Sequence, residues 1–121
     1  MKHLFVPYKL AEKLKEKGFD EPCLGRYRDK KFQLYSVIKE HCYNSDPISH
    51  KDISAPLYQQ VIDFFREKHN INIEVQYRNT DHVYLVTLYP MQPRTTLDVV
   101  GKFKNYYDAL NKAIEEALKL I

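Results

Sequence analysis

Four residues of this 121-residue chain carry the side chains of a metal or thiol site: Cys23, His41, Cys42 and His50. Zinc sites favour close Cys or His pairs, because a short spacing lets two ligands converge at little entropic cost. The adjacent His41–Cys42 pair points its side chains apart in extended backbone, and the other spacings fit no zinc finger. Either cysteine could act as a nucleophile with one of the five histidines. Nothing in the sequence places an acid or an oxyanion hole beside them, so both thiols are expected to pack as small hydrophobes. With three glycines, no phosphate-cradling loop forms. Asp63 and Glu67 fall on the outer face of a helix, where carboxylates solvate rather than pair as acid and base. The expectation is no metal, no cofactor and no catalytic constellation.

The run R-Y-R-D-K-K-F-Q-L-Y at 26–35 interleaves basic and aromatic residues. Arg26, Arg28, Lys30 and Lys31 could meet phosphates while Tyr27 stacks on a base. The same run also reads as a hairpin with a charged turn, whose lysines guard its edge against pairing with another chain. His82, Lys102 and Lys104 are the remaining candidates for such a surface.

The charge balance limits the nucleic-acid reading. Nineteen basic residues stand against sixteen acidic ones, a net charge of +3. Segment 9–31 holds eight basic and five acidic residues, which is the whole excess. A patch of that size attracts acidic partners weakly, and dedicated nucleic-acid-binding domains carry more. Hydrophobic residues at 44% and charged residues at 29% are ordinary for a globular chain. Ten Tyr, six Phe and no Trp make Tyr a major aromatic packing residue, and its hydroxyl favours the edge of a core. Two cysteines are no disulfide framework. No segment has the length of a transmembrane helix, and the apolar stretch near the N-terminus is too short for a signal peptide. Reduced thiols and a cytoplasmic location follow as the default.

The elements that must position these residues are legible from pattern. Pro7–Lys17 reads as a helix with Leu10, Ala11 and Leu14 inward, Gly18 as its stop and Phe19 packing back on it. Residues 23–28 and 32–38 read as a hairpin, and 39–53 as an irregular loop. The run S-A-P-L-Y-Q-Q-V-I-D-F-F-R-E-K-H at 54–69 is amphipathic. Ser54 reads as its N-cap, Pro56 as a first-turn residue and Asn70 as its stop. Ile71, Ile73, Val75 and Tyr77 alternate with polar residues as a half-buried strand. After a turn at 79–82, V-Y-L-V-T-L-Y at 83–89 reads as a central strand covered on both faces. A third strand is expected from Thr96 to Phe103. The last helix takes Asn105 as N-cap with Asp108 in its first turn, and an outward Glu115–Lys119 pair.

This order specifies a single α+β domain. Residues 54–121 supply an α-β-β-β-α body, an antiparallel sheet with two main helices on one face. The N-terminal helix and hairpin (1–38) are expected at the edge or far face of that sheet, giving three to five strands. A homodimer partner could cover the same face.

The segments G-F-D-E-P-C at 18–23, A-P-L-Y-Q-Q-V-I-D-F-F-R-E-K-H at 55–69 and Y-Y-D-A-L-N-K-A-I-E-E-A-L-K-L-I at 106–121 resemble a group of small uncharacterised proteins of prophages and mobile elements in gut anaerobes. That resemblance covers most of the chain and implies a bacterial or phage-derived accessory protein, with no activity to carry over. The helix–three strands–helix order of 54–121 also resembles a double-stranded-RNA-binding domain. Of that family's Gly-Pro-x-His turn only His82 is present, in Asn79-Thr80-Asp81-His82. At the start of the last helix the family's lysine cluster is replaced by Asn105-Tyr106-Tyr107-Asp108, with Lys102 and Lys104 just ahead. Asp108 would repel the phosphates that cluster serves.

By elimination, the leading expectation is a non-enzymatic binding or accessory protein that acts on a protein partner. The alternative is a nucleic-acid-binding module using Arg26, Arg28, Lys30, Lys31, His82, Lys102 and Lys104. A nucleic-acid binder should gather those cations on one face. A protein binder should instead expose an apolar or Tyr-rich patch.

Overall fold

The computed structural model describes residues 1–34, 43–45, 51–90 and 98–121. They form an α+β fold with two three-stranded antiparallel sheets and three α-helices. The chain divides into two compact units, Met1–Gln60 and Val61–Ile121.

In the first unit, a 3-10 turn (Lys2–Leu4) leads into helix α1, Tyr8–Glu16. Leu10, Ala11 and Leu14 are its buried residues, as their spacing requires. The helix ends at Gly18, whose φ of 90° suits a residue without a Cβ. Phe19 N–H bonds Leu14 C=O at 2.9 Å and Gly18 N–H bonds Lys15 C=O at 3.1 Å, the paired bonds of a Schellman stop. Phe19 and Leu14 are both buried.

Strands β1 (Gly25–Arg28) and β2 (Lys31–Leu34) are joined by a two-residue turn, with Arg28 opposite Lys31. Asp29 and Lys30 have φ of 51° and 65°, the signature of a type I′ turn, whose twist matches that of the strands. Residues 35–38, expected to continue the second strand, lie outside the described residues. Among the described residues the hairpin belongs to a sheet of its own unit. Its third strand is β3 (Ile53–Ala55), antiparallel to β1 with Arg26 opposite Ser54.

That pairing corrects the reading of Ser54 as a helix cap. Ser54 is a buried strand residue whose N–H donates to Asn44 Oδ1 at 2.9 Å. Helix α2 starts later, at Tyr58, and runs to His69. Pro56 therefore precedes the helix. Leu57 N–H donates to Gln60 Oε1 at 3.0 Å, the backward half of a capping box. Phe5, Val6, Leu10, Leu14, Phe19, Tyr27 and Ala55 are among the buried core residues of this unit. Within it Tyr27 donates its hydroxyl to Val6 C=O at 2.7 Å, which satisfies the ring's polar tip.

The border between the units falls inside α2, whose Val61, Phe64 and Phe65 are buried. Asn70, with φ of 54°, turns the chain into β4 (Ile71–Arg78). Strands β5 (Val83–Pro90) and β6 (Asp98–Phe103) complete a sheet of order β4-β5-β6. β5 is central, as its apolar sequence predicts. Val86 and Leu88 are fully buried, whereas Val83, Leu85 and Tyr89 on the other face are half-exposed. Thr87, on the same face as Val83 and Leu85, is buried, and the face of Val86 and Leu88 carries the core. That face is met by helix α3 (Tyr106–Leu118), which packs on all three strands. Its buried Leu110, Ile114 and Leu118 contribute about 2 kcal/mol each relative to exposure. Asn105 caps it, accepting from Tyr107 N–H at 2.8 Å and Asp108 N–H at 3.2 Å. The expected Glu115–Lys119 pair is replaced by Glu116, which holds Lys112 at 3.1 Å and Lys119 at 3.0 Å.

Candidate functional site

The basic hairpin is the first of the sequence candidates, and both of its arginines are paired to one buried acidic residue. Asp52, 4% exposed, precedes β3. Because β3 pairs with β1, that carboxylate lies beside the arginine row. Arg28 grips it with Nε at 3.1 Å and Nη2 at 2.9 Å, and Arg26 Nη1 approaches at 3.3 Å. Lys15 Nζ donates to Asp52 C=O at 3.1 Å. Arg26 also reaches Gln33 Oε1 at 3.2 Å from the neighbouring strand. A two-pronged guanidinium–carboxylate bond is the strongest form of ion pair. These arginines serve to hold β3 against the hairpin. Lys30 and Lys31 remain exposed at the turn.

The other sequence candidates belong to the second unit. His82, exposed and at φ of 55°, closes the β4–β5 turn. Its Nδ1 lies 2.8 Å from the Tyr77 hydroxyl. On the same turn Arg78 binds Asp81 through Nε at 2.7 Å and through Nη2. The guanidinium holds the Asp81 carboxyl below its ordinary value, chiefly by hydrogen bonding, and Lys102 adds to the effect from β6. Lys102 and Lys104 are exposed.

Around this turn the structure assembles what the sequence reading missed, a ladder of aromatic rings. Tyr77 and Tyr84 face each other across the hairpin with centroids 5.2 Å apart. Tyr84 meets Tyr106 edge-on at 5.6 Å, and Tyr106 meets Tyr107 at 5.3 Å. His82 continues the series beside Tyr77 at 6.4 Å. Tyr77 is 53% and Tyr106 41% exposed. Tilted and edge-on rings at these distances attract one another and hold a fixed surface. The signal for half of this ladder was present in sequence, since Tyr77 and Tyr84 are symmetric about the 79–82 turn. Tyr106 comes from a helix terminus that only the fold brings alongside.

Cys23 is buried and donates its thiol to Glu21 C=O at 3.3 Å. His41, Cys42 and His50 lie outside the described residues. Among the described residues no group of three His, Cys, Asp or Glu is placed to hold a metal ion. Asp63 and Glu67 both contact Arg66 on α2. Among the described residues no helix is long and apolar enough to cross a membrane. No protein-family model, no curated protein and no solved structure matches this chain.

Proposed function

We propose that this chain is a non-enzymatic binding protein that engages a protein partner through the tyrosine ladder on its second unit. The observation carrying this reading is the exposure of Tyr77 and Tyr106 within a ring series locked by Tyr84 and Tyr107. Rigid tyrosines give large contact area at small entropic cost, which is why they are enriched where proteins meet. The internal use of Arg26 and Arg28 on Asp52 weakens the nucleic-acid reading. It neutralises part of the charge of two of the seven residues that reading uses. An accessory role in the cytoplasm, of the prophage kind that the sequence resemblance implies, fits a protein that works by contact alone.

The test compares the parent chain with the Tyr77→Ser/Tyr106→Ser double variant, both checked for intact far-ultraviolet dichroism. A captured partner is purified and titrated against each. Loss of affinity by at least about tenfold in the double variant supports the ladder, in line with aromatic hot spots. Equal affinity rejects it. Steeply salt-sensitive binding of RNA or DNA, abolished by Lys102→Ala/Lys104→Ala, would replace it with the nucleic-acid reading.

A further inference from the structure

Strand β4 has an outer edge that no strand pairs among the described residues, since the sheet order is β4-β5-β6. An open edge offers a row of N–H and C=O groups to another chain, and proteins usually blunt it with proline, lysine, bulges or shortness. β4 has none of these, although the charges of Glu74 and Arg78 are a device of the same kind. It is eight residues long, I-N-I-E-V-Q-Y-R, without Pro, Gly or Lys. It pairs with β5 in unbroken register from Ile71 to Arg78. The bulge in this sheet sits on the opposite side, between β5 and β6 at Val86/Thr87.

We propose that this edge is a homodimer interface, in which β4 pairs antiparallel with β4 of a second copy about a two-fold axis at Gln76. The occupant is chosen by the strand's own pattern. In a two-fold antiparallel pair only registers centred on a residue keep like faces together. Centring on Gln76 sets Glu74 opposite Arg78 of the second copy, and Arg78 opposite its Glu74. Opposite charges directly across strands stabilise a pair. On the other face the same register sets Val75 against Tyr77 and Tyr77 against Val75, an aromatic–β-branched match. Gln76 meets Gln76, and an amide is both donor and acceptor. Centring on Glu74 would oppose two carboxylates. Centring on Val75 leaves Glu74 against Gln76 and Arg78 against Asn72, with no ion pair.

Glu74 also interacts with the Tyr89 hydroxyl on β5, so the dimer would ask its carboxylate to serve both strands. Gln76 and Tyr77 are exposed, and Glu74, Val75 and Arg78 are half-exposed. Arg78 uses Nε and Nη2 on Asp81, which leaves Nη1 for a carboxylate from across the edge. The interface pairs residues 74–78 of the two strands and joins two three-stranded sheets into one of six strands. It shares Tyr77 with the partner reading above, but its test involves no other protein and so succeeds or fails separately.

Sedimentation velocity on the full chain, from low micromolar to several hundred micromolar, measures the association. The parent is expected to show a reversible monomer–dimer equilibrium. Glu74→Arg places like charges opposite each other twice and is expected to raise the dimer dissociation constant about tenfold. Arg78→Glu does the same. The double exchange, Glu74→Arg/Arg78→Glu, restores complementarity in this register alone and is expected to return the constant to within about threefold of the parent. Far-ultraviolet dichroism of Glu74→Arg, which leaves the Arg78–Asp81 pair intact, separates dissociation from unfolding. A monomer at every concentration, an unchanged constant in a folded Glu74→Arg, or a double exchange no tighter than its single components would overturn the proposal.

Discussion

Arg28 and Asp52 are joined by two bonds of 3.1 and 2.9 Å, across 24 residues of sequence, on a side chain that is 6% exposed. This pair adds a side-chain clasp to the backbone pairing of β3 with β1. Asp52→Ala is expected to destabilise the first unit by about 2 kcal/mol. It removes charge-assisted bonds to both Arg26 and Arg28, while the half-exposed Arg28 recovers some hydration. Urea unfolding of the variant against the parent measures it, and a cost near zero would make the pair ornamental.

Lys30 occupies a left-handed position, with φ of 65°, that its Cβ disfavours. Lys30→Gly creates Asp-Gly, a preferred type I′ turn. It is expected to raise stability by about 0.5–1 kcal/mol. Thermal unfolding checks the sign. A lower melting temperature would mean that the lysine side chain contributes more than its backbone strain costs.

Gly25 is required by space. A Cβ there would lie 2.9 Å from the Phe32 ring, 3.2 Å from Phe5 and 3.3 Å from Ala55 Cβ. Gly25→Ala must displace rings that pack at 4.9 Å from one another, at an expected cost of about 1–3 kcal/mol. Gly18→Ala meets no atom within 4 Å and is strained only by its backbone, at about 1 kcal/mol. Denaturant midpoints of the two variants rank the two causes.

The Asp81 carboxyl is held below its ordinary value, first by its hydrogen bond from Arg78. A depressed carboxylate contributes stability that is present above its unfolded value and is lost as pH falls through the folded one. In a carbon-13 titration Asp81 is therefore expected to protonate below the usual carboxylate range. Arg78→Gln should move it upward and Lys102→Ala should move it by less. An unmoved Asp81 in Arg78→Gln would show that the pair does not persist in solution.

Local chemistry made much of this fold readable from sequence alone. The stop at Gly18, the turn at Asn70, the cap at Asn105 and the alternation of β4 all depend on groups within a few residues of each other. Such groups meet whatever the rest of the chain does. What only the tertiary structure decided depends on distant partners. Three residues, Ile53–Ala55, carry no period that distinguishes a strand from a loop, so β3 exists because β1 offers it an edge. The basic run at 26–31 reads as a free cationic surface until Asp52, remote in sequence, folds onto its arginines. Likewise Tyr84 and Tyr106, separated by β6, become neighbours only when α3 packs on the sheet. Burial then turns individual tyrosines into one surface, because the apolar face of α3 can be removed from water only against that sheet.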